Sequence, residues 1–199
     1  MAKKKFGRFW KVLKIFFAAF FIVAITLVVL FYYRTDVTKN IDNYGYGLPF
    51  KKGTSHRVVQ GYGGLFSHKH IAAIDFEMPV GTTVCAARNG TVYSYKEDSD
   101  QGGVFSGSKA NYIMIKHDDG SFGCYWHLKK NGVLVKNGYV FAGQEIGLSG
   151  ATGNVLRPHL HFSVKRVLNY QMDSFLKTKF RTTDGLMFLE TGSSYQRPD

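Results

Sequence analysis

Residues 15–32 run for eighteen positions without a charge, IFFAAFFIVAITLVVLFY, and Tyr33 extends the run. Thr26 is its one member outside the aliphatic and aromatic types. At about 1.5 Å of rise per residue a helix of this length covers ~28 Å, the hydrocarbon thickness of a bilayer. No polar stripe marks a solvent face, which argues against an ordinary core helix. Lys3, Lys4, Lys5, Arg8, Lys11 and Lys14 precede the run, and no acid occurs before Asp36. The positive-inside rule then keeps the N-terminus in the cytoplasm and exports the rest. Phe6, Phe9 and Trp10 at one end, with Phe31, Tyr32 and Tyr33 at the other, suit the two membrane interfaces. A cleaved signal peptide is the competing reading. The run exceeds a usual signal core, and no A-x-A-like site follows it before Arg34, so residues 1–34 are expected to be a basic flank and an uncleaved single-pass anchor.

The formal charge of +12 divides unevenly, because seven of the 26 basic residues lie in residues 1–34 with no acid beside them. The remainder holds 19 basic and 14 acidic residues, a net of +5. A mildly basic exported domain suits a polyanionic envelope. The densest basic cluster belongs to the membrane flank, so no nucleic-acid partner is expected. Two cysteines, Cys85 and Cys124, are too few for a disulfide scaffold, and each sits in an apolar stretch that suits a buried thiol as well as a bridge.

Residues 35–55 are polar, contain Gly and Pro, and read as a linker. From His56 onward short strands alternate with turns. Residues 57–62, 72–76, 138–141, 145–148 and 159–164 read as strands. Residues 82–87 and 90–95 read as two strands joined by a tight turn at Arg88-Asn89-Gly90. Residues 112–117 and 122–127 flank Asp118-Asp119-Gly120, a hairpin signal. Residues 99–110 read as a surface loop, 178–182 and 186–190 as further strand pieces, and 193–199 as a polar tail. With no long amphipathic helix outside the anchor, the expected fold is mainly β. It is a small glycine-rich antiparallel domain over residues 56–192.

The chemistry concentrates in three places. In His159-Leu160-His161, strand alternation turns both imidazoles to one face, ~6.5–7 Å apart along the strand. In SHKHIAAIDF, Asp75 follows Ala72, Ala73 and Ile74, where an unpaired carboxylate would be costly to bury and a metal ion or an ion pair would resolve the cost. In Tyr125-Trp126-His127-Leu128, alternation puts Cys124 and Trp126 on one face and Tyr125 and His127 on the other. Two histidines and a carboxylate are a common catalytic zinc set that leaves a position open. Further histidines can then handle protons.

These segments resemble the lysostaphin/LytM-type zinc peptidases, the peptidoglycan endopeptidases, over roughly residues 58–190. The resemblance rests on SHKHIAAIDFEMPVGTTVCAARNGTV, NYIMIKHDDGSFGCYWHL and GQEIGLSGATGNVLRPHLHFSV, in that order. It implies zinc ligands His68, Asp75 and His161, with His127 and His159 acting beside the metal on water or on the tetrahedral intermediate. It implies an antiparallel β domain with a groove over Zn2+, and hydrolysis of peptidoglycan peptides. Many members have three residues between the first His and the Asp, whereas six separate His68 from Asp75 here and four separate His70 from it. Longer spacings resemble a subset reading Ser-His…Ala-Ile-Asp-Phe, which favours His68, directly after Ser67, with His70 as runner-up. His56 and His117 read as surface or strand-end residues. Asn111, the Tyr125 hydroxyl and Arg157 could line the groove or be structural. A second function remains open beside the enzyme, a non-catalytic or autoinhibited relative that regulates another wall hydrolase.

Overall fold

The computed structural model describes residues 2–34, 39–64, 66–104, 109–169 and 174–198. They fall into two compact units, residues 1–36 and 37–199. The first is a single helix, α1 (Ala2–Arg34). Its stretch Trp10–Val29 is long and apolar enough to cross a membrane. From Ile15 to Val29 every residue except Ala24 is exposed. Thr26 donates its hydroxyl to the Ile22 carbonyl at 2.8 Å, so the apolar surface carries no unmet hydroxyl there. The side chains of residues 2–9 and 30–34 lie outside those described, and with them Phe6, Phe9, Phe31, Tyr32, Tyr33 and most of the basic flank.

The second unit is mainly antiparallel β. Its centre is β11 (His159–Lys165), which pairs along its length with β3 (Ala73–Glu77) on one side and β7 (Phe122–Trp126) on the other. Beyond β3 lie β2 (Ser55–Gln60) and then β14 (Ser194–Gln196). Beyond β7 lie β6 (Tyr112–Lys116), β5 (Gly90–Lys96) and β9 (Tyr139–Val140). The sheet also takes in β12 (Phe175–Thr182), β13 (Gly185–Met187) and β1 (Ile41–Gly47), for eleven strands among the described residues. A separate three-stranded sheet orders β4 (Thr83–Cys85), β10 (Glu145–Ser149) and β8 (Leu128–Val133).

Alternation sorts the two faces of the large sheet. Leu160 and Phe162 of β11, Ile74 and Phe76 of β3, and Tyr125 of β7 point to one side and are fully buried. There Phe162 is the hub of aromatic contacts, tilted against Tyr125 with ring centroids 5.1 Å apart and edge-on to Phe180 at 5.7 Å and Tyr46 at 6.2 Å. The opposite face carries His159, His161 and Asp75.

Three expectations need correction. Residues 35–55 are not simply a linker, because β1 pairs in parallel with β12, and Tyr46, Leu48 and Phe50 are fully buried. Their apolar side chains outweigh a turn-like composition. The tail at 193–199 likewise contributes β14, and Arg197 donates Nη1 to the Phe50 carbonyl at 2.6 Å. The segments at 82–87 and 90–95 do not pair with each other. β4 pairs with β10, and β5 with β6 and β9. Gly90 has a packing reason instead of a turn reason, since a Cβ there would meet the Lys116 carbonyl oxygen at 2.4 Å. The β6–β7 hairpin forms as read, with Tyr112 opposite Trp126 and Gly120 at φ +83° in the turn.

If residues 41–50 belong to the core, Tyr46→Ala will lower the unfolding free energy by about 3 kcal/mol or more, the cost of emptying a buried aromatic site. Urea unfolding of the full chain in detergent measures it. A change within about 0.5 kcal/mol would return the segment to a linker.

Candidate metal centre

The centre begins with strand register. His161 lies directly across from Asp75 of β3, and across from Trp126 of β7 on its other side. The first pairing brings His161 Nδ1 to 2.9 Å from Asp75 Oδ1. His68, from the loop between β2 and β3, is fully buried and sets its Nε2 3.2 Å from the same oxygen and 3.1 Å from His161 Nδ1. Among the described residues these three form a group able to hold a metal ion. His70 is outside it.

Hydrogen bonding fixes which atoms face inward. The His68 Nδ1 is 3.1 Å from the Gly61 carbonyl, which only accepts, so Nδ1 carries the proton and Nε2 keeps its lone pair. A register shift in β2 at Val59 sets Gln60 opposite Asp75, and its amide donates to Oδ2 at 3.3 Å and to Ser67 Oγ at 2.7 Å. His68 Nε2, Asp75 Oδ1 and His161 Nδ1 therefore converge within 3.2 Å. Ligands bound at about 2.0–2.1 Å around a tetrahedral zinc stand roughly 3.3 Å apart, so the set fits such an ion with little movement. Burial works to raise the Asp75 pKa, but the neighbouring imidazoles of His161 and then His68 outweigh it and hold the carboxyl well below the usual range. Burial pushes the His161 proton affinity down, with Asp75 opposing.

His127 reaches this face against its strand. Alternation alone would send it into the core with Tyr125. Instead it is one of two non-glycine residues at positive φ among those described, at +66°, and forms the corner where β7 leaves the large sheet and β8 enters the small one. That left-handed turn swings the ring to 4.6 Å from His159 and 5.8 Å from His161, centroid to centroid. Strain of this kind persists only where surroundings enforce it. Here Nδ1–H donates to the Thr152 carbonyl at 2.7 Å, and the Thr152 hydroxyl donates to the Leu128 carbonyl at 2.8 Å. Burial, then the charges that His161 and His159 would carry, bring the His127 pKa down to about 3. His159 has its Nδ1 on the Arg157 carbonyl at 2.8 Å, and its Nε2 stands 3.7 Å from Asp75 Oδ1.

The remaining candidates are placed elsewhere. Fully buried Asn111 binds Ser99, Thr152 and Leu128, tying together the loops behind His127. The Tyr125 hydroxyl accepts from Ala87 N at 2.8 Å inside the core. Arg157 pairs with Glu77 at 3.5 Å. His56 and His117 bind the carbonyls of Glu77 and Asn89. Cys85 and Cys124 are buried free thiols. Sequence reasoning missed Gln60 and the carbonyls of Gly61, Thr152 and Arg157. Only Gln60, on the strand next to Asp75, left a side-chain signal.

The model of Peptidase family M23 matches residues 69–174, a stretch that holds Asp75, His127, His159 and His161 and begins one position after His68. The chain belongs to peptidase family M23. It is 41% identical over 100 residues to an uncharacterized metalloprotease of Buchnera aphidicola, covering 48% of this chain and 24% of that one. It is 41% identical over 91 residues to the peptidoglycan DD-endopeptidase ShyA of Vibrio cholerae, covering 45% and 19%. It is 35% identical over 126 residues to lysostaphin of Staphylococcus staphylolyticus, covering 63% and 22%. The matched stretch is thus about a quarter or less of each relative. The solved catalytic domain of lysostaphin from Staphylococcus simulans is 30% identical, covering 61% of this chain and 86% of that one, with a TM-score of 0.45.

Burial holds the His161 proton affinity below the ordinary histidine value of 6.5, so its ring stays neutral into mildly acid solution. Protons then compete for the site only in more acid solution. Zinc loaded into the full chain and followed with a chelating dye, as the buffer is titrated down from neutral, is expected to be half released below pH 6.5. Half release at or above that value would contradict this environment for His161.

Proposed function

We propose that this chain is a membrane-anchored, zinc-dependent endopeptidase that hydrolyses peptide bonds in peptidoglycan cross-links or stem peptides. The observation that carries it is the convergence of His68 Nε2, Asp75 Oδ1 and His161 Nδ1 within 3.2 Å, with His127 and His159 on the same face. His68, Asp75 and His161 are the ligands in this reading. Membership in the M23 family and the names of the relatives support the substrate class.

A zinc ion held there supplies Lewis acidity, polarising a peptide carbonyl and making water acidic near pH 7. The protein's own groups do the rest. His127 and His159 each have Nδ1 committed to a backbone carbonyl, so each presents Nε2 to the substrate. In the neutral ring that nitrogen accepts a proton, and once charged it donates one to the developing oxyanion or the leaving amine. The pair therefore takes up the proton of the attacking water and returns it. Asp75 offsets positive charge at the centre, and Gln60 holds its second oxygen in place.

The anchor reading rests on α1, apolar around its whole circumference and flanked by lysines. It puts the domain on the extracytoplasmic side of the cytoplasmic membrane, where peptidoglycan lies. Full chain in detergent with zinc, incubated with defined muropeptides and analysed by mass spectrometry, tests the function. His127→Gln is expected to keep its zinc and lose roughly 10²–10⁴-fold in kcat. His161→Ala is expected to lose both zinc and cleavage. Zinc-loaded wild type that releases no fragment would move the reading to a regulator of another wall hydrolase.

A further inference from the structure

From Leu176 to Thr182 strand β12 alternates. Leu176, Thr178 and Phe180 are buried, and Lys177, Lys179 and Arg181 turn the other way. Successive cations stand about 6.7 Å apart along the strand. Among the described residues none of the three forms an ion pair, whereas Lys51, Arg88, Lys96, Lys130, Lys136 and Arg157 each hold a carboxylate. Their contacts are with rings instead. The Lys177 ammonium is 4.3 Å from the Phe188 centroid and 5.8 Å from that of Tyr62, Lys179 shares Phe188 at 5.4 Å, and the Arg181 guanidinium is 5.5 Å from the Tyr44 centroid. A ring face holds a cation without neutralising it. The acids on the neighbouring strand and turn are Asp42, whose carboxylate accepts from Tyr44 N and the Tyr46 hydroxyl, and Asp184 after β12. Neither pairs with the row.

Apolar side chains lie among these cations. Ile41 of β1 is the register partner of Lys177 and is 51% exposed. Leu186 of β13, 52% exposed, is the partner of Arg181. Both reach over Gly45, where a Cβ would stand 2.7 Å from Leu186 Cδ1 and 3.6 Å from Arg181 Cζ. Cations interleaved with exposed aliphatic groups suit the boundary between charged headgroups and hydrocarbon, where basic side chains lay down their stems and keep their heads in the polar layer. The chain itself brings this face near a bilayer. Four residues separate α1 from Lys39 in the sequence, and the Asn40 carbonyl accepts from the Lys177 amide at 2.7 Å.

We infer that Lys177, Lys179 and Arg181, with Ile41 and Leu186 beside them, dock this face of the domain on the anionic phospholipid headgroups of the bilayer that holds α1. This rests on the anchor reading above and is independent of the substrate. Headgroup phosphates supply the counter-charges that the row lacks, and each cation at an anionic surface favours docking about fivefold. A soluble polyanion would match the charges but leave Ile41 and Leu186 in water.

Full chain carrying Thr183→Cys, in the exposed turn after β12, takes a thiol-reactive fluorophore there, while Cys85 and Cys124 stay buried. It is reconstituted into vesicles of phosphatidylcholine, with or without phosphatidylglycerol, that carry a quencher on the headgroups. Quenching is expected to be strong in the anionic vesicles and weak in the neutral ones. It is expected to fall at about 1 M salt, where charges are screened beyond roughly 3 Å. Lys177→Gln, Lys179→Gln and Arg181→Gln are each expected to lower the docked-to-free ratio about fivefold. A melting curve and zinc content show that the variants fold. Equal quenching in both lipids, or full quenching in the triple Gln variant, overturns the inference. So does soluble polyphosphate that binds wild type and not the triple variant while the two lipids quench alike, since the row would then serve a polymer. Alkaline carbonate tests the anchor separately. Chain extracted by it ends the anchor reading and the docking together, whereas chain that stays in the bilayer with its fluorophore unquenched ends the docking alone.

Discussion

Everything at the centre depends on one cross-strand pair, Asp75 of β3 against His161 of β11. Register alone brings a carboxylate oxygen and an imidazole nitrogen to 2.9 Å on the face away from the core. The same register turns Leu160, Phe162, Ile74 and Phe76 into that core. A slip of one residue would exchange the two faces and lose both at once. The burial that stabilises the domain is therefore also what specifies the site. His68 completes it from a loop, and its rigidity comes from full burial and from the Gly61 carbonyl rather than from a strand.

A second device supplies what the sheet cannot. A flat run of strands can present His159 and His161 to one face, but it would turn His127 away. The left-handed corner at His127 breaks the alternation at the one position where β7 passes from the large sheet to the small one. Behind it, Thr152 and Asn111 hold the corner through hydrogen bonds to Leu128, Ser99 and each other. A cost in backbone strain is offset by that network, and the result is a third imidazole on the reactive face. The second sheet is thus part of the site's construction as well as its support.

Much of this was legible in the sequence, for reasons that differ by residue. His159-Leu160-His161 announces its face through the two-residue period of a strand, and Asp75 stands out as a carboxylate at the end of an apolar run. The β6–β7 hairpin is local and declares its turn. What was not legible is long-range or conformational. β4 finds its partner in β10, some sixty residues on, so a short spacer to β5 misled. Residues 41–47 look polar in one dimension, and only their pairing with β12 shows why Tyr46 is buried. The spacing left His68 and His70 both open. Carbonyl partners such as Thr152 carry no side-chain signal at all.

In the proposed centre His68, Asp75 and His161 together hold zinc. Metal analysis of His68→Ala beside His70→Ala, each as full chain at equal protein concentration, addresses it most directly. One zinc per chain is expected in the wild type and in His70→Ala, and almost none in His68→Ala. Full zinc in His68→Ala, or its loss in His70→Ala alone, would contradict it.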